Sequence, residues 1–179
     1  MPHDVPARRT RAAACLPALV TFVFLYMTAT PGLAHAAAAD AALDPEERAL
    51  CEQINRFRAQ SGAPALRASI ALTKAASWLS FDMAAHDGFD HVDSRGRDFD
   101  ERITAFGYRS PTMAENIAGG EAGASATFKQ LKRSPSLRSN MLRAKLRVIG
   151  IGRAPGSGTM LAWYWTTTFG GTLDRSVAC

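Results

Sequence analysis

The chain has 179 residues, of which 21 are lysine or arginine and 16 are aspartate or glutamate, so its formal charge is +5. It contains no run of lysine and arginine with interleaved aromatic residues, which argues against nucleic acid as a partner. The length suits one domain with a core of its own rather than several domains.

Residues 1–36 have the pattern of a secretory signal peptide. Three arginines precede an apolar run from Cys15 to Met27, and the small-x-small triplet Ala34-His35-Ala36 follows it. The run is shorter than the roughly 20 apolar residues that a membrane span requires. We therefore predict cleavage after about Ala36 and a secreted or periplasmic location, with an uncleaved anchor as the alternative. The three arginines and Asp4 would leave with the signal, so the mature chain would carry a formal charge of +3.

Residues 37–43 form an alanine-rich lead, and a single domain is predicted over residues 44–179. Asp44-Pro45-Glu46-Glu47 has the features of a helix start, since aspartate can cap, proline fits the first helical position and Glu47 lies three residues after the cap. Apolar residues recur at helical spacing until Ser61. A second helix is predicted from about Ser69 to Ala85.

The rest of the chain predicts short helices followed by strands. The helices are expected at about Arg97–Phe106, Ala122–Lys132 and Pro135–Leu142. Met113–Ala118 is a short apolar segment interrupted by Glu115. Aromatic and β-branched residues predict strands at Leu146–Arg153 and Met160–Phe169. Helices first and strands late are typical of an α+β domain in which helices pack on an antiparallel sheet.

Several fragments follow one another in a fixed order and spacing along the predicted mature chain. They are Asn55-x-x-Arg58, Gly62-x-Pro64-x-Leu66, Phe89-x-His91, Arg102-Ile103, Gly107-Tyr108, Glu115-Asn116-Ile117-Ala118, Ser134-Pro135, Val148-Ile149-Gly150-Ile151-Gly152, Tyr164-Trp165-Thr166 and Phe169-Gly170. Together they resemble the bacterial branch of the CAP superfamily, which comprises cysteine-rich secretory, antigen 5 and pathogenesis-related proteins. The resemblance implies a three-layer α-β-α sandwich with a central antiparallel sheet.

The resemblance also implies a cavity that two histidines and one glutamate of the family face. His91 and Glu115 match the first histidine and the glutamate, but Leu137 stands at the position of the second histidine. A zinc site normally needs three or four protein ligands, and leucine cannot bind a metal. No cofactor and no metal are therefore expected. His86 could complete a metal site only if its loop reached the cavity.

The predicted ligand cavity contains six residues: His91, Glu115, Asn116, Ser134, Leu137 and Arg138. A buried carboxylate without a partner is costly. Glu115 should therefore pair with His91, Arg138 or Ser134, or face a wet pocket. Asn116 and Asn140 are expected to act as hydrogen-bonding struts, and Ser134 to cap the helix that begins at Pro135. The alternative for His91 and Glu115 is a hydrogen-bonded pair that only fixes the loop against the sheet.

Two cysteines remain after the predicted cleavage, Cys51 and Cys179. Export to an oxidising compartment favours a disulfide between them, which would tie the C-terminal tail to the first helix. A buried Cys51 beside a free Cys179 is the alternative.

Two further groups of residues have a default structural interpretation. Trp163 and Trp165 should share one face of a strand, with Tyr164 on the other, and core packing is the default for all three. The late part of the chain is rich in bases, which usually form a solvated face but could meet anionic lipid or cell-wall polymer. These bases are Lys129, Lys132, Arg133, Arg138, Arg143, Lys145 and Arg147.

The sequence is compatible with three functions. The leading hypothesis is an exported, monomeric, non-enzymatic module that binds a lipid or cell-wall derived ligand near His91 and Glu115. The second is a hydrolase that uses His91 and Glu115 as an acid/base pair. The third is a structural or interaction protein of the cell envelope in which Leu137 fills the cavity.

Overall fold

The computed structural model describes residues 43–179. The signal peptide predicted at residues 1–36 and most of the alanine-rich lead lie outside the described residues. Five helices are present in the described part: α1 Pro45–Gln60, α2 Ile70–His86, α3 Phe99–Ala105, α4 Ala124–Arg133 and α5 Pro135–Leu142. The strands are β1 Arg67–Ser69, β2 Met113–Gly119, β3 Val148–Pro155, β4 Trp163–Gly170 and β5 Ser176–Val177. None of the helices between residues 43 and 179 is long and apolar enough to cross a membrane.

The five strands form one sheet in the order β2-β4-β3-β1-β5. β4 pairs antiparallel with β2 on one side and with β3 on the other. The predicted antiparallel arrangement has one exception, because β1 pairs parallel with β3. β1 is only three residues long and β5 only two, and the sequence patterns predict neither strand. Such short strands owe their conformation to their neighbours rather than to a sequence pattern of their own.

Helices cover both faces of the sheet, which confirms the α+β, three-layer α-β-α architecture. On one face, Ala114, Ile151 and Trp165 belong to a core that they share with Leu50 of α1 and Leu131 of α4. On the other face, the side chains of α2 and α3 form two further clusters with β2, β3 and β4. Side chains alternate between faces along a strand, so each of these longer strands contributes to both cores.

Two glycines of β3 allow α2 to lie directly on the sheet. A Cβ atom at Gly150 would overlap the backbone of Leu72, and one at Gly152 would overlap the backbone of Ser77. Ser80 then donates a hydrogen bond from Oγ to the carbonyl oxygen of Gly152 at 2.9 Å. The close approach of this helix to β3 therefore depends on the absence of side chains at both positions.

Arg58 joins the end of α1 to the segment that follows α5. Its guanidinium is fully buried and donates to the carbonyl oxygens of Pro64, Met141, Arg143 and Leu146. Burial lowers the pKa of Arg58 to about 10, which still leaves it charged at neutral pH. The family fragment Asn55-x-x-Arg58 therefore has a structural role in this fold.

A disulfide joins Cys51 of α1 to Cys179, and their Cα atoms lie 5.8 Å apart. The crosslink predicted from the sequence is thus present, and it holds the segment after β5 against α1. Asn55 supports the same junction, because its Nδ2 donates to Cys179 Sγ at 3.4 Å and to the carbonyl oxygen of Leu66 at 3.0 Å.

Candidate functional site

His91 lies in the loop between α2 and α3, and a network of hydrogen bonds to Asp93 orders this loop. The carboxylate of Asp93 accepts hydrogen bonds from the backbone N–H groups of Arg95 and Arg97, from Arg97 Nε and from Trp78 Nε1. Burial opposes its ionisation, but the hydrogen bonds from Arg97 and Arg95 prevail and lower the pKa of Asp93. The guanidinium of Arg95 lies 4.3 Å from the centroid of the Trp78 ring. The loop is therefore fixed to α2 close to His91.

Glu115 projects from β2 and binds two side chains at once. His91 Nδ1 lies 2.9 Å from Glu115 Oε1, and Arg102 Nη2 donates to Glu115 Oε2 at 2.5 Å. Arg102 Nη1 also donates to the carbonyl oxygen of His91 at 3.0 Å. Arg102 therefore holds both the carboxylate and the backbone of the loop that carries the histidine.

The three side chains differ sharply in exposure. Arg102 and Glu115 are 0% and 1% exposed, whereas 46% of the His91 side chain is exposed. The hydrogen bond to Glu115 raises the pKa of His91, against the opposing effect of burial. Of these three side chains, only His91 is accessible to a ligand, and its raised pKa favours the charged imidazole. The ion pair of Glu115 and Arg102 is buried beside it.

The loop carries apolar side chains on either side of His91. Phe89 is 42% exposed and Val92 is 47% exposed. Leu161 and Phe89 both approach Gly119 at the end of β2, since a Cβ atom at Gly119 would meet side-chain atoms of both. Apolar surface and a titratable cation therefore lie next to each other in this loop.

Asn116 points to the opposite face of β2 and connects the strand to α5. Its Nδ2 donates to the carbonyl oxygen of Leu137 at 3.0 Å, and Asn140 Nδ2 donates to Asn116 Oδ1 at 2.9 Å. Asn140 also reaches the carbonyl oxygen of Glu115 at 3.3 Å. Both asparagines make the strut-like hydrogen bonds that the sequence predicts. The half-buried side chain of Leu137 packs against the core that α1 and α4 share.

Ser134 and Arg138 lie at α5 and do not pair with Glu115. Ser134 occupies the N-cap position and Pro135 the first turn, but no side-chain cap hydrogen bond forms. The Ser134 hydroxyl lies 3.2 Å from Ser136 Oγ instead. The side chain of Arg138 is exposed. The structure therefore brings His91 and Glu115 together and groups Asn116 with the backbone of Leu137, while Ser134 and Arg138 remain apart from both.

The donor set at Glu115 does not suit zinc. Both carboxylate oxygens are engaged, and a cation would lie next to the buried guanidinium of Arg102. Leu137 supplies no donor. His86 Nδ1 faces the carbonyl oxygen of Asp82 on its own helix at 2.9 Å. Within residues 43–179, no group of three or more His, Cys, Asp or Glu side chains is arranged to hold a metal ion.

Arg102 is the residue of this site that sequence reasoning missed. It belongs to a family fragment, but the partners predicted for Glu115 include Arg138 in its place. One sequence signal points to it: Arg102 directly precedes Ile103 in a short predicted helix and belongs to the fragments shared with the family. The structure shows that these two are the buried residues of that helix. A buried arginine needs an anion or several acceptors. Glu115 interrupts an apolar segment and is therefore the carboxylate that most needs a buried partner.

The first three residues of β4, Trp163, Tyr164 and Trp165, are aromatic and pack in the two cores. Trp165 is buried in the core shared with α1, and Trp163 packs against the same core. Tyr164 is buried on the other face with Leu79 and Met83. The predicted alternation is confirmed. Arg153 lies 4.7 Å from the Trp163 ring centroid and covers part of that ring.

Residues 51–169 match the family model of the CAP, cysteine-rich secretory protein family. This match covers most of the chain, and the fold and the order of elements agree with it. The chain therefore belongs to the CAP family of cysteine-rich secretory proteins. No protein with a curated description matches the sequence significantly.

Solved structures of bacterial proteins share the fold. An outer surface protein of Borrelia burgdorferi is 18% identical, with a TM-score of 0.64 over 73% of this chain and 97% of that chain. An extracellular protein containing an SCP domain from Bacillus anthracis is 20% identical, with a TM-score of 0.60 over 74% of this chain and 45% of that chain. A cysteine-rich secretory protein from Staphylococcus aureus is 19% identical, with a TM-score of 0.55 over 68% of this chain and 36% of that chain. This chain thus spans less than half of the last two proteins.

Proposed function

We propose that this chain is an exported CAP domain that binds an anionic amphiphile at His91 and does not catalyse a reaction. The signal-like pattern of residues 1–36 supports export. The names of two similar structures, an outer surface protein and an extracellular protein, support it as well.

One observation carries the non-enzymatic part of the proposal: both oxygens of the Glu115 carboxylate are already bound, one by His91 and the other by Arg102. A general base must lie within reach of the proton that it removes, and the Glu115 side chain is only 1% exposed beneath these partners. A substrate would have to displace Arg102 or His91 before it could contact this carboxylate. The pair therefore supports binding rather than proton transfer.

The exposed part of the site supports the class of ligand. A protonated His91 offers a hydrogen-bond donor and a positive charge to an anionic head group. Phe89 and Val92 offer exposed apolar contacts beside it. An amphiphile with an anionic head and an apolar tail matches this pair of features, since transfer of apolar surface out of water contributes about 25 cal/mol per Å².

Vesicle co-sedimentation tests the proposal. At a pH of about 6, near the ordinary pKa of histidine, the purified protein should pellet with phosphatidylglycerol vesicles and remain in solution with phosphatidylcholine vesicles. His91→Gln should weaken the association by about tenfold, since it removes one charged hydrogen bond. His86→Gln is the matched control, because it removes another exposed histidine, one whose ring faces its own helix instead of Glu115.

The pH dependence gives a second readout of the same experiment. Because the pKa of His91 is raised, binding should be strongest below that pKa and should decline as the pH rises through it. Equal binding by His91→Gln and His86→Gln would overturn the proposal. Equal pelleting of the wild type with both vesicle types would also overturn it.

A hydrolase that uses His91 and Glu115 is the alternative enzyme. It would require Glu115 to leave Arg102 during the reaction. Hydrolysis of p-nitrophenyl butyrate by the wild type, abolished in Glu115→Gln with the fold intact, would favour the hydrolase. A structural or interaction protein of the envelope is the second candidate, and the burial of Glu115 and Arg102 beside His91 favours it. Failure of the wild type to bind either vesicle type would support that function.

A further inference from the structure

A groove between α1 and α4 lies on the side of the sheet opposite to Glu115. Its volume is about 540 Å³. Phe57 of α1 and Phe128 of α4 lie in its wall, with their ring centroids 5.8 Å apart in an edge-to-face arrangement. The groove has no part in the site at His91.

Two cations and two amides surround these rings. Lys132 Nζ lies 4.9 Å from the centroid of the Phe57 ring, and Arg56 lines the groove from α1. Gln53 and Gln60 of α1 line it as well. The groove therefore offers positive charge, amide donors and acceptors, and aromatic ring surface within one space.

The charge of α4 and of the chain that follows it is strongly one-sided, whereas α1 on the other side of the groove carries Glu46, Glu47 and Glu52. Between Glu121 and Asp174 the sequence contains no acidic residue, although eight bases lie in that stretch. Lys129, Lys132 and Arg133 are spaced so that they share one side of α4, and all three are exposed. In the part of the chain that the structure describes, none of these three forms a salt bridge. Arg56 pairs only with exposed Glu52 at 3.6 Å, and such surface pairs are weak.

The apolar surface needed to enter a bilayer lies elsewhere. Within residues 43–179 the large apolar side chains that are exposed lie outside α1 and α4; they are Phe81, Phe89, Val92, Met160, Leu173 and Val177. A helix surface that binds a membrane usually combines cations with an inserted apolar face. The α1–α4 groove has the cations without that face, and its rings lie within the groove rather than at an exposed crest. This arrangement favours a polymer that lies in the groove over a lipid surface.

We propose that the α1–α4 groove binds an acidic polysaccharide. Arg56 and Lys132 would contact its carboxylate or phosphate groups, and the amides of Gln53 and Gln60 would hydrogen-bond its hydroxyl groups. The rings of Phe57 and Phe128 would pack against the apolar faces of its sugar rings. The cations next to the groove on α4 extend the positive surface beyond it, which suits a chain longer than one or two sugars.

Calorimetry with defined polymers tests this site in the purified protein. Polygalacturonate should bind, neutral dextran should not, and binding should weaken with salt because the contacts are electrostatic. The double substitution Arg56→Gln and Lys132→Gln should weaken binding by about tenfold or more, since it removes two charged contacts. Lys145→Gln is the matched control, because it removes an exposed cation outside the groove and should change affinity by less than about twofold.

His91→Gln separates this proposal from the one above, since it should leave polygalacturonate binding unchanged. An equal loss of affinity in Lys145→Gln and in the groove variant would overturn the proposal, because it would indicate diffuse attraction to the whole basic surface. Wild-type protein that ignores polygalacturonate, or that binds dextran equally well, would overturn it too. The vesicle experiment provides the remaining check: the groove variant should retain phosphatidylglycerol binding.

Discussion

At the scale of single residues, Arg102 determines the chemistry that Glu115 can perform. A carboxylate and a guanidinium that are both removed from water stabilise each other only while both are present. Replacing a whole buried pair is often tolerated, whereas removing one partner leaves an uncompensated charge. Arg102 also holds the backbone of His91, so it connects the buried pair to the exposed imidazole.

Arg102→Met should therefore reduce the free energy of unfolding by about 3 kcal/mol or more, because Glu115 would remain buried without its cation. Urea unfolding followed by tryptophan fluorescence measures this loss. The double variant Arg102→Met and Glu115→Met, which removes both charges, should lose less than the single variant. Arg138→Gln, at an exposed arginine, should stay within about 0.5 kcal/mol of the wild type. A single variant as stable as the wild type would show that Glu115 finds another partner.

At the scale of elements, the start of α1 serves two purposes. Asp44 and Glu47 form the predicted capping box, in which each side chain accepts a hydrogen bond from the backbone N–H of the other. Glu47 Oε1 also accepts a hydrogen bond from the backbone N–H of Arg153 at 3.1 Å. Arg153 lies in the part of β3 that has no pairing with β1. The Arg153 side chain donates to Asp44 Oδ2 at 2.7 Å. The cap of α1 thus also satisfies a donor at the free edge of the sheet.

This arrangement predicts a pH-dependent stability. Burial raises the pKa of Glu47 from 4.5 to about 7, although the backbone hydrogen bonds from Asp44 and Arg153 oppose the shift. The folded protein therefore binds this proton more tightly than the unfolded chain does. The stabilisation of the folded state by protonated Glu47 is fully present below pH 4.5 and is lost as the pH rises through about 7. The loss of unfolding free energy is on the order of 3 kcal/mol.

Glu47→Gln removes this titration. Its unfolding free energy should change less between about pH 5 and about pH 8 than that of the wild type, measured by urea unfolding at both values. The raised pKa of His91 contributes to the wild-type decline with the same sign, and it remains in the variant. Glu52→Gln, at an exposed position of the same helix, should retain the wild-type pH dependence. Parallel curves for the wild type and Glu47→Gln would contradict the prediction.

At the scale of the whole molecule, the last strand lies at the edge of the sheet, and the disulfide holds that end in place. β5 is two residues long and pairs only with β1, which is itself three residues long. Cys179 follows β5 and binds Cys51 in the first turns of α1, across a sequence separation of 128 residues. The crosslink therefore ties the most weakly paired strand to the core.

Loss of this disulfide should destabilise the protein by about 4–5 kcal/mol on the chain-entropy model. Cys179→Ser and the wild type in reducing buffer should show the same lowered Tm, by about 10 °C or more for a domain of this size. Reducing agent should have no further effect on Cys179→Ser, which provides the control. A reduced wild type that melts within about 2 °C of the oxidised protein would refute the prediction.

Local sequence patterns predict most of the helices and the two long strands β3 and β4. The start of α1, the helices from Ile70 to Leu142, the strands β3 and β4 and the alternation of the β4 aromatics follow from caps, helical spacing and β-branched residues. Ordered fragments identified the family, and with it the pairing of His91 with Glu115. These features were predictable because each depends on residues near one another in sequence, or on a motif that fixes their order.

The tertiary structure decided the remainder. β1 and β5 are strands only because β3 and β1 supply their partners, and the parallel pairing of β1 has no local signal. From the sequence, Glu115 could pair with His91, Arg138 or Ser134. In the structure, α3 lies close to β2 and places Arg102 beside Glu115. Alternation along β2 then separated Glu115 from Asn116 and α5, so the residues grouped by the sequence lie on two faces. Ion-pair partners and grooves between helices depend on distances in space, and a sequence pattern constrains those distances only through the completed fold.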